Sequence, residues 1–200
     1  MGAASASERP RRLELDDADR AARVLARAFA WHEPWGAWAM PDPSDREERI
    51  FERFRLDLVR RFIPDGECWT IGGHAVTMWI PPGVGSLRSR RSAEDYAAFG
   101  EVAEAMRAGD ELIASLKPAG EHWYLDTIAT DPDLHGRGLG GRLLDHDLAI
   151  RDAAGDACAL DTHTGENLDF YRRRGFDVIG SGSLAPGLDV HVMFRPPARK

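Results

Sequence analysis

The chain has 200 residues, of which 43% are hydrophobic and 30% are charged, and its formal net charge at pH 7 is −7. This composition is that of a folded domain with a hydrophobic core, and it excludes an intrinsically disordered chain. The negative charge argues against general nucleic-acid binding, and no apolar run approaches the roughly 20 residues that span a bilayer.

The first residues and the cysteines lead to predictions about compartment. Residues 1–10 are small and polar and then basic, without the apolar centre of a signal peptide. We therefore predict a flexible tail at 1–10 and one domain at 11–200. Cys68 and Cys158 lie far apart and lack metal-ligand spacing, which favours a reducing compartment. The expectation is a cytoplasmic protein without a metal site.

The hydrophobic periodicity predicts a mixed α/β domain. The first half of the chain is predicted to hold a strand at 11–15, a helix capped by Asp16 or Asp17, a helix from about residue 44, a hairpin at 67–71 and 75–80, and a helical region at 92–116 interrupted near Gly109. The second half is predicted to hold strands at 122–130, 157–163, 176–179 and 189–195, and helices at 138–154 and 167–174.

A glycine-rich segment follows the strand at 122–130. Gly136, Gly138 and Gly141 satisfy G-x-G-x-x-G, and Asp161 lies 20 residues later, as in a dinucleotide-binding fingerprint. In that fingerprint the first glycine ends the strand, whereas here five residues, 131–135, intervene. The elements after Asp161 also do not continue a doubly wound sheet. A helix that begins near Gly138 instead predicts an anion site made of unpaired N–H groups, to which Arg137 and Arg142 add charge.

Two motifs resemble a known family. The segment from His135 to Gly140 resembles the acyl-CoA-binding motif of the GNAT acetyltransferases, Gln/Arg-x-x-Gly-x-Gly/Ala, with His135 where Gln or Arg is usual. The segment from Asn167 to Phe176 resembles the second signature of that family, Asn-x-x-Phe-Tyr-x-x-x-Gly-Phe. The sub-type is similar to the puromycin N-acetyltransferases, through the turn at 79–82 and the step at 161–162.

The resemblance implies a fold and a cofactor. The fold is a single-domain α/β structure whose mixed, mostly antiparallel sheet is flanked by helices and splayed between its two central strands. The cofactor is acetyl-CoA. The residues implied to bind it are Ile128, Ala129, Thr130, His135, Gly136, Arg137, Gly138, Leu139, Gly140, Gly141, Arg142, Asn167, Tyr171 and Arg174.

The resemblance also implies catalytic roles. Backbone N–H groups near residues 128–130 would polarise the thioester carbonyl. Tyr171 would protonate coenzyme A as it leaves. A base is needed when the acceptor is an alkylammonium, because deprotonation at pH 7 then costs about 4.6 kcal/mol. Asp161 is the first candidate base, Asp126 the second and His163 the third.

The acceptor is predicted less sharply. Trp31, Glu33 and Trp35 lie where the family binds its acceptor, so the indoles are predicted to stack on it and Glu33 to hold a cation. His163 is a further acceptor-binding candidate. We predict a primary amine of a small molecule, such as an antibiotic, as the partner of a monomer or homodimer. The alternatives are a protein or peptide acceptor, and a non-catalytic sensor of acyl-CoA.

Overall fold

The computed structural model describes residues 9–84, 87, 91–97 and 99–198. Most of the predicted tail, residues 1–8, lies outside this part of the chain. The strands are β1 (Arg11–Arg12), β2 (Glu67–Ile71), β3 (Ala75–Ile80), β4 (Trp123–Thr130), β5 (Cys158–Thr162), β6 (Asp177–Ala185) and β7 (Leu188–Arg195). The helices are α1 (Ala18–His32), α2 (Pro34–Ala39), α3 (Arg46–Asp57), α4 (Ile63–Asp65), α5 (Ala93–Ala97), α6 (Ala103–Leu116), α7 (Leu139–Ala154) and α8 (Gly165–Arg172), with a π-helical turn at Leu58–Phe62 between α3 and α4.

The seven strands form one sheet in the order β1-β2-β3-β4-β5-β7-β6. Strands β4 and β5 run parallel, and every other neighbouring pair is antiparallel. The predicted mixed, mostly antiparallel sheet is therefore confirmed. Among the described residues, no helix combines the length and apolar character needed to cross a membrane.

The sheet opens between its two central strands. Strands β4 and β5 pair only from Trp123 opposite Cys158 to Leu125 opposite Leu160, although β4 continues to Thr130. Asp126 is an extra residue in β4, because Met78 pairs with Thr127 whereas Trp79 pairs with Leu125. Such a bulge bends a strand and increases its twist. The predicted splay is thus present, and it begins at the bulge.

Helices cover both faces of the sheet. One hydrophobic core joins α1, α3 and α6 to one face, and a second joins α7 and α8 to the other face. The apolar pattern of α7 predicts a buried side formed by Leu139, Leu143, Ile150 and Ala154, which is partly wrong, because Ala154 is exposed and Ile150 is only half-buried. The buried residues of this helix are Leu139, Leu143, Leu144, Asp147, Leu148 and Arg151. Asp147 also lies on the buried side of α7, where its carboxylate accepts hydrogen bonds from Thr77 and Trp79. A pattern of apolar residues does not include such a position.

Glycines explain two further wrong predictions. The helical region is interrupted by a 3₁₀ turn at Gly100–Val102, not near Gly109, which lies inside α6. Strand β6 runs through Gly180 and Gly182, which had been predicted as a turn. A Cβ at Gly182 would lie 2.9 Å from a methyl carbon of Leu112, and one at Gly180 would lie 3.0 Å from Leu116. These glycines therefore permit α6 to pack closely on β6.

The first strand is also shorter than predicted. It pairs with β2 only through Arg11 and Arg12, and a 3₁₀ turn occupies Leu15–Asp17. Asp17 stands at the start of α1 without a side-chain cap, because its carboxylate accepts hydrogen bonds from the Arg11 guanidinium. The backbone N–H of Glu14 also donates to this carboxylate.

Candidate active site

A cavity of about 910 Å³ lies where the splayed end of β4 meets the start of α7. We call it the loop cavity. Its lining residues come from α1, β4, the glycine segment and α8: Ala28, Phe29, His32, Glu33, Ile128, Ala129, Thr130, Pro132, Leu134, His135, Gly136, Gly138, Leu139, Gly140, Gly141, Thr164, Gly165, Glu166, Asn167, Phe170 and Tyr171. The structure therefore brings together most of the residues that the sequence assigned to the cofactor.

The glycine segment presents backbone to this cavity. Gly136 and Gly138 both have φ of 75°, in the left-handed region that favours glycine, and a Cβ at either would meet no atom within 4 Å. Gly138 is the N-cap of α7, whose first intrahelical bond runs from the Arg142 N–H to the Gly138 carbonyl. The preceding N–H groups of the first turn have no helical acceptor. An anion in the loop cavity would thus meet free N–H groups and the positive end of the helix dipole.

A second, smaller cavity of about 90 Å³ lies deeper in the splay, and we call it the inner cavity. Its walls come from α1, α2, α3, α6, β4, β5, β6 and α8. Its lining residues are Phe29, Glu33, Trp35, Trp38, Arg53, Phe54, Asp57, Arg91, Met106, Gly109, Asp110, Ile113, Leu125, Asp126, Thr127, Ile128, Asp161, Thr162, His163, Asn167, Tyr171 and Leu184.

The three predicted base candidates all line the inner cavity. Asp161 accepts a hydrogen bond from the Tyr124 hydroxyl, and its other oxygen lies 3.6 Å from Nε2 of His163. Asp126, the residue at the bulge, accepts a hydrogen bond of 2.9 Å from Thr127. None of the three lines the loop cavity.

The two cavities meet at a junction formed by five residues that line both: Phe29, Glu33, Ile128, Asn167 and Tyr171. Tyr171 is buried, with its ring against Phe170 and Phe176. Burial raises the pKa of the Tyr171 phenol well above its usual value, and the charges of Glu33 and Asp161 raise it further. The junction therefore holds a tyrosine that stays protonated, and the charge of the Glu33 carboxylate contributes to this.

Comparisons with known proteins agree with this geometry. Residues 96–178 match the model of the acetyltransferase (GNAT) domain. A histone acetyltransferase HPA2 and related acetyltransferase from Corynebacterium glutamicum superposes with a TM-score of 0.75 over 97% of this chain and 98% of its own, at 24% identity. The chain has the fold of the GNAT acetyltransferases.

Two other proteins are similar to this chain, one in fold and one in sequence. The PaiA N-acetyltransferase of Thermoplasma acidophilum, solved with coenzyme A, has a TM-score of 0.58 over 95% of this chain and 99% of its own, at 15% identity. The peptidyl-lysine N-acetyltransferase YjaB of Salmonella typhimurium is 32% identical over 75 residues, which are 38% of this chain. The match spans about half, 49%, of that curated relative. Acetyltransferases with the GNAT fold take their acetyl group from acetyl-CoA.

The arginines of the predicted cofactor site do not line the loop cavity of this GNAT fold. Arg137 and Arg142 are exposed outside its lining. Arg174 donates from Nε to Asp145 at 2.6 Å and from Nη1 to the Phe170 carbonyl at 3.0 Å. Its guanidinium stacks 4.0 Å from the centre of the Phe170 ring. Arg174 thus packs beside Phe170 and Gly141 at the edge of the loop cavity, and the groups that the glycine segment presents to the cavity are backbone.

The predicted acceptor residues separate into two groups. Glu33, Trp35 and His163 line the inner cavity, whereas Trp31 does not. Trp31 is 53% exposed, donates its indole N–H to Glu47 and lies under the guanidinium of Arg46. Trp31 lies on α1, whereas Trp35 lies on α2, a separate helix that begins at Pro34.

An ionic network along the inner cavity was not predicted from the sequence. Arg53 donates to Asp57 at 2.6 Å, Asp57 accepts from Arg61 at 2.5 Å, and Arg91 donates to Asp110 at 2.8 Å. All five side chains are largely buried. Burial lowers the pKa of Arg53 to about 10. The i, i+4 spacing of Arg53, Asp57 and Arg61 was the available signal, but it is also the pattern of an exposed helix surface.

Proposed function

We propose that this protein is an N-acetyltransferase that moves an acetyl group from acetyl-CoA to the primary amine of a small molecule. The observation that carries the proposal is the junction, where a large cavity next to the glycine segment, suited to coenzyme A, meets a smaller cavity suited to an amine. Tyr171 lies at that meeting point and is accessible to both.

The loop cavity fits the cofactor through its backbone. The pyrophosphate would lie against Gly136, Gly138 and the first turn of α7, where a side chain at either glycine would enter the same space. Beyond Leu125, the edge of β4 that faces β5 has no strand partner among the described residues, so its polar groups face the cleft. These groups would pair with the pantetheine arm and hold the acetyl carbonyl. When bound, acetyl-CoA supplies an activated acyl carbon with a thiolate as leaving group.

Tyr171 would donate a proton to the departing sulfur. Its raised pKa keeps the phenol protonated across the working pH range, so the donor is always present. The same burial that makes the phenol a weaker acid would make a thiolate formed beside it a stronger base. The proton transfer therefore becomes less unfavourable than the roughly 2 kcal/mol separation of the ordinary pKa values of tyrosine and cysteine.

The small volume of the inner cavity, about 90 Å³, supports a small acceptor. Helices α1 to α3 cover one side and α6 covers the other, and α6 is held on β6 by the close glycine contacts. Aromatic rings of Trp35, Trp38 and Phe54 provide apolar wall, and carboxylates of Asp126 and Asp161 lie opposite them in the sheet. This lining suits a cationic amine with an apolar body.

A peptide-lysine acceptor is the second candidate. It is favoured by the similarity to YjaB, which is named for that activity. Such an acceptor would need an open groove along the splay to admit a backbone on either side of the lysine. A puromycin-like aminonucleoside is the corresponding small-molecule test compound, since the sequence motifs resemble those of the enzymes that acetylate it.

A thiol-release assay with acetyl-CoA and a panel of acceptors tests the proposal. The panel contains arylalkylamines, diamines, an aminonucleoside and lysine peptides, each at equal concentration. We expect release of coenzyme A with one or more small amines and at least tenfold lower kcat/KM with every peptide. Faster turnover with peptides would establish the second candidate. Binding of acetyl-CoA without release of coenzyme A with any acceptor would leave a sensor of acyl-CoA as the function.

A further inference from the structure

The junction contains two titratable side chains among the described residues that line both cavities: Tyr171 and Glu33. The acceptor nitrogen must reach the acyl carbon there, because only at the junction do the two cavities share walls. We propose that Glu33 is the general base that receives the proton of the acceptor ammonium. This inference rests on the acetyl transfer proposed above, and it replaces Asp161 and Asp126 in that role.

The backbone places Glu33 at a fixed point between two helices. Glu33 ends α1 and precedes α2 with extended dihedral angles, φ −119° and ψ 132°. Pro34 follows, and a residue before proline is restricted to such extended conformations. The Glu33 carbonyl accepts a hydrogen bond of 3.1 Å from the Gly36 N–H, which begins α2. The side chain therefore leaves a rigid corner and enters the junction.

Helix α8 holds the proposed acid and base together. Asn167 and Tyr171 are four residues apart on this helix, so both project from the same side. The amide of Asn167 donates to Oε1 of Glu33 at 3.4 Å. The charge of Glu33 also raises the pKa of the Tyr171 phenol, which places the two groups within electrostatic range. One helix thus fixes the distance between the proton acceptor and the proton donor.

The surroundings of Glu33 favour its role as a proton acceptor. Burial raises the pKa of the Glu33 carboxyl, and the hydrogen bond from Asn167 opposes that shift. A carboxylate with a raised pKa is a better proton acceptor than an exposed one. The other titratable residues that line the two cavities around Glu33 are His32, Arg53, Asp57, Arg91, Asp110, Asp126, His135, Asp161, His163, Glu166 and Tyr171.

The two aspartates are less suited to the role. Asp161 already accepts a hydrogen bond from the Tyr124 hydroxyl and lies near His163. Asp126 accepts a hydrogen bond from the Thr127 hydroxyl. Both aspartates line the inner cavity but not the loop cavity. Their position fits carboxylates that hold the cationic acceptor before reaction, which is the role that the sequence had suggested for Glu33.

The protons and bonds balance with Glu33 and Tyr171 in these roles. Two protons leave the acceptor nitrogen. Glu33 takes the first, which frees the lone pair that forms the bond from nitrogen to the acyl carbon. As the bond from carbon to sulfur breaks, Tyr171 gives its proton to sulfur, and the second nitrogen proton restores the phenol. Glu33 then returns its proton to water.

The test compares Glu33→Gln with wild type, using Glu47→Gln as a matched control because Glu47 lies outside both cavities. With an alkylamine acceptor we expect Glu33→Gln to lower kcat by about 10²-fold, with the affinity for coenzyme A unchanged. With hydroxylamine, which is uncharged at neutral pH, the loss should be less than about threefold, because no ammonium proton has to be removed. The acidic limb of the wild-type pH profile of kcat/KM should move or disappear in the variant.

A second measurement does not depend on turnover. In cofactor-free protein labelled at glutamate carboxyl carbons, the resonance that Glu33→Gln removes should titrate above the ordinary value of about 4.3. A midpoint at or below that value would overturn the proposal, as would a variant whose acceptor KM rises while kcat is unchanged, since that pattern marks a cation holder. Equal losses with the alkylamine and hydroxylamine would also overturn it. If wild type releases no coenzyme A with any amine, the proposed function fails together with this assignment.

Discussion

The loop cavity and the inner cavity adjoin each other but are built in different ways. In the loop cavity the part suited to the pyrophosphate is backbone, from one strand end, one glycine segment and the first turn of α7, and side chains of α1 and α8 complete the wall. The inner cavity is walled by side chains from eight elements that lie far apart in sequence. A backbone wall presents the same N–H groups whatever the neighbouring side chains are. A side-chain wall changes with each substitution.

This difference in construction corresponds to two tasks: binding one cofactor and selecting an acceptor. A pyrophosphate is recognised by dipoles that any chain with the right turn can offer, so the loop cavity is suited to one cofactor. The inner cavity determines the acceptor through its aromatic rings and carboxylates, and its shape depends on how α2, α3 and α6 pack. Substitutions in the two cavities should therefore change different kinetic constants, and those at the junction should change the chemical step.

The largest effect is expected at the junction. Tyr171→Phe should lower kcat by about 10²- to 10⁴-fold, because the hydroxyl that protonates the leaving sulfur is removed while the ring remains. The affinity for coenzyme A, measured by calorimetry, should be unchanged. Tyr96→Phe is the matched control, since the Tyr96 hydroxyl donates to Asp110 outside the junction. Full turnover in Tyr171→Phe would show that the acid lies elsewhere.

The next effect tests the backbone wall. Gly138→Asp should weaken binding of coenzyme A by about 30-fold or more, because it adds left-handed strain and a negative charge at the cradle. Gly155→Asp is a suitable control, since Gly155 also has positive φ, 79° against 75°, but lies at the opposite end of α7. Similar losses of affinity in both variants would point to a general weakening of the helix and would contradict the cradle.

The same contrast explains what could be predicted from the sequence. The loop cavity was predictable because local rules govern it: glycines at 136 and 138 need positive φ, and the start of a helix offers free N–H groups. The hairpin at Glu67–Ile71 and Ala75–Ile80 was predicted with its observed bounds for a similar reason, since alternation and a Gly-Gly turn are local signals.

The inner cavity was predictable only in part, through its carboxylates, His163 and Trp35, because the rest of its walls depend on tertiary packing. Trp31 and Trp35 are four residues apart and were assigned one role, yet Pro34 separates them into two helices with different directions. Gly109 was predicted to break a helix, whereas in the structure it permits close packing against Leu184. That contact could not be predicted because Leu184 lies 75 positions later in the chain. The burial of Arg53 could not be predicted from the sequence, because it depends on how α3 packs in the folded domain.

A smaller effect tests the side-chain wall. Trp35→Ala should raise the KM for the acceptor by about tenfold, as expected when an aromatic contact of 1–3 kcal/mol is lost, with the KM for acetyl-CoA unchanged. Trp31→Ala should alter neither constant by more than about twofold, because Trp31 lies outside the cavity. Melting temperatures of both variants separate a loss of packing from a loss of binding. Equal effects of the two substitutions would restore the original prediction that both indoles bind the acceptor.

The smallest effect is expected at Arg174, where the sequence predicted a cofactor contact. Its guanidinium is already engaged by Asp145 and the Phe170 carbonyl, so Arg174→Ala should change the affinity for coenzyme A by less than about twofold. Calorimetry with coenzyme A and with 3′-dephospho-coenzyme A makes the test specific. If Arg174 instead reaches the 3′-phosphate, Arg174→Ala will weaken coenzyme A binding about tenfold and leave binding of the dephosphorylated form unchanged, because only the first ligand carries that charge. In that case the loop cavity would depend on a side chain as well as on backbone, and the two cavities would differ less in how they bind their ligands.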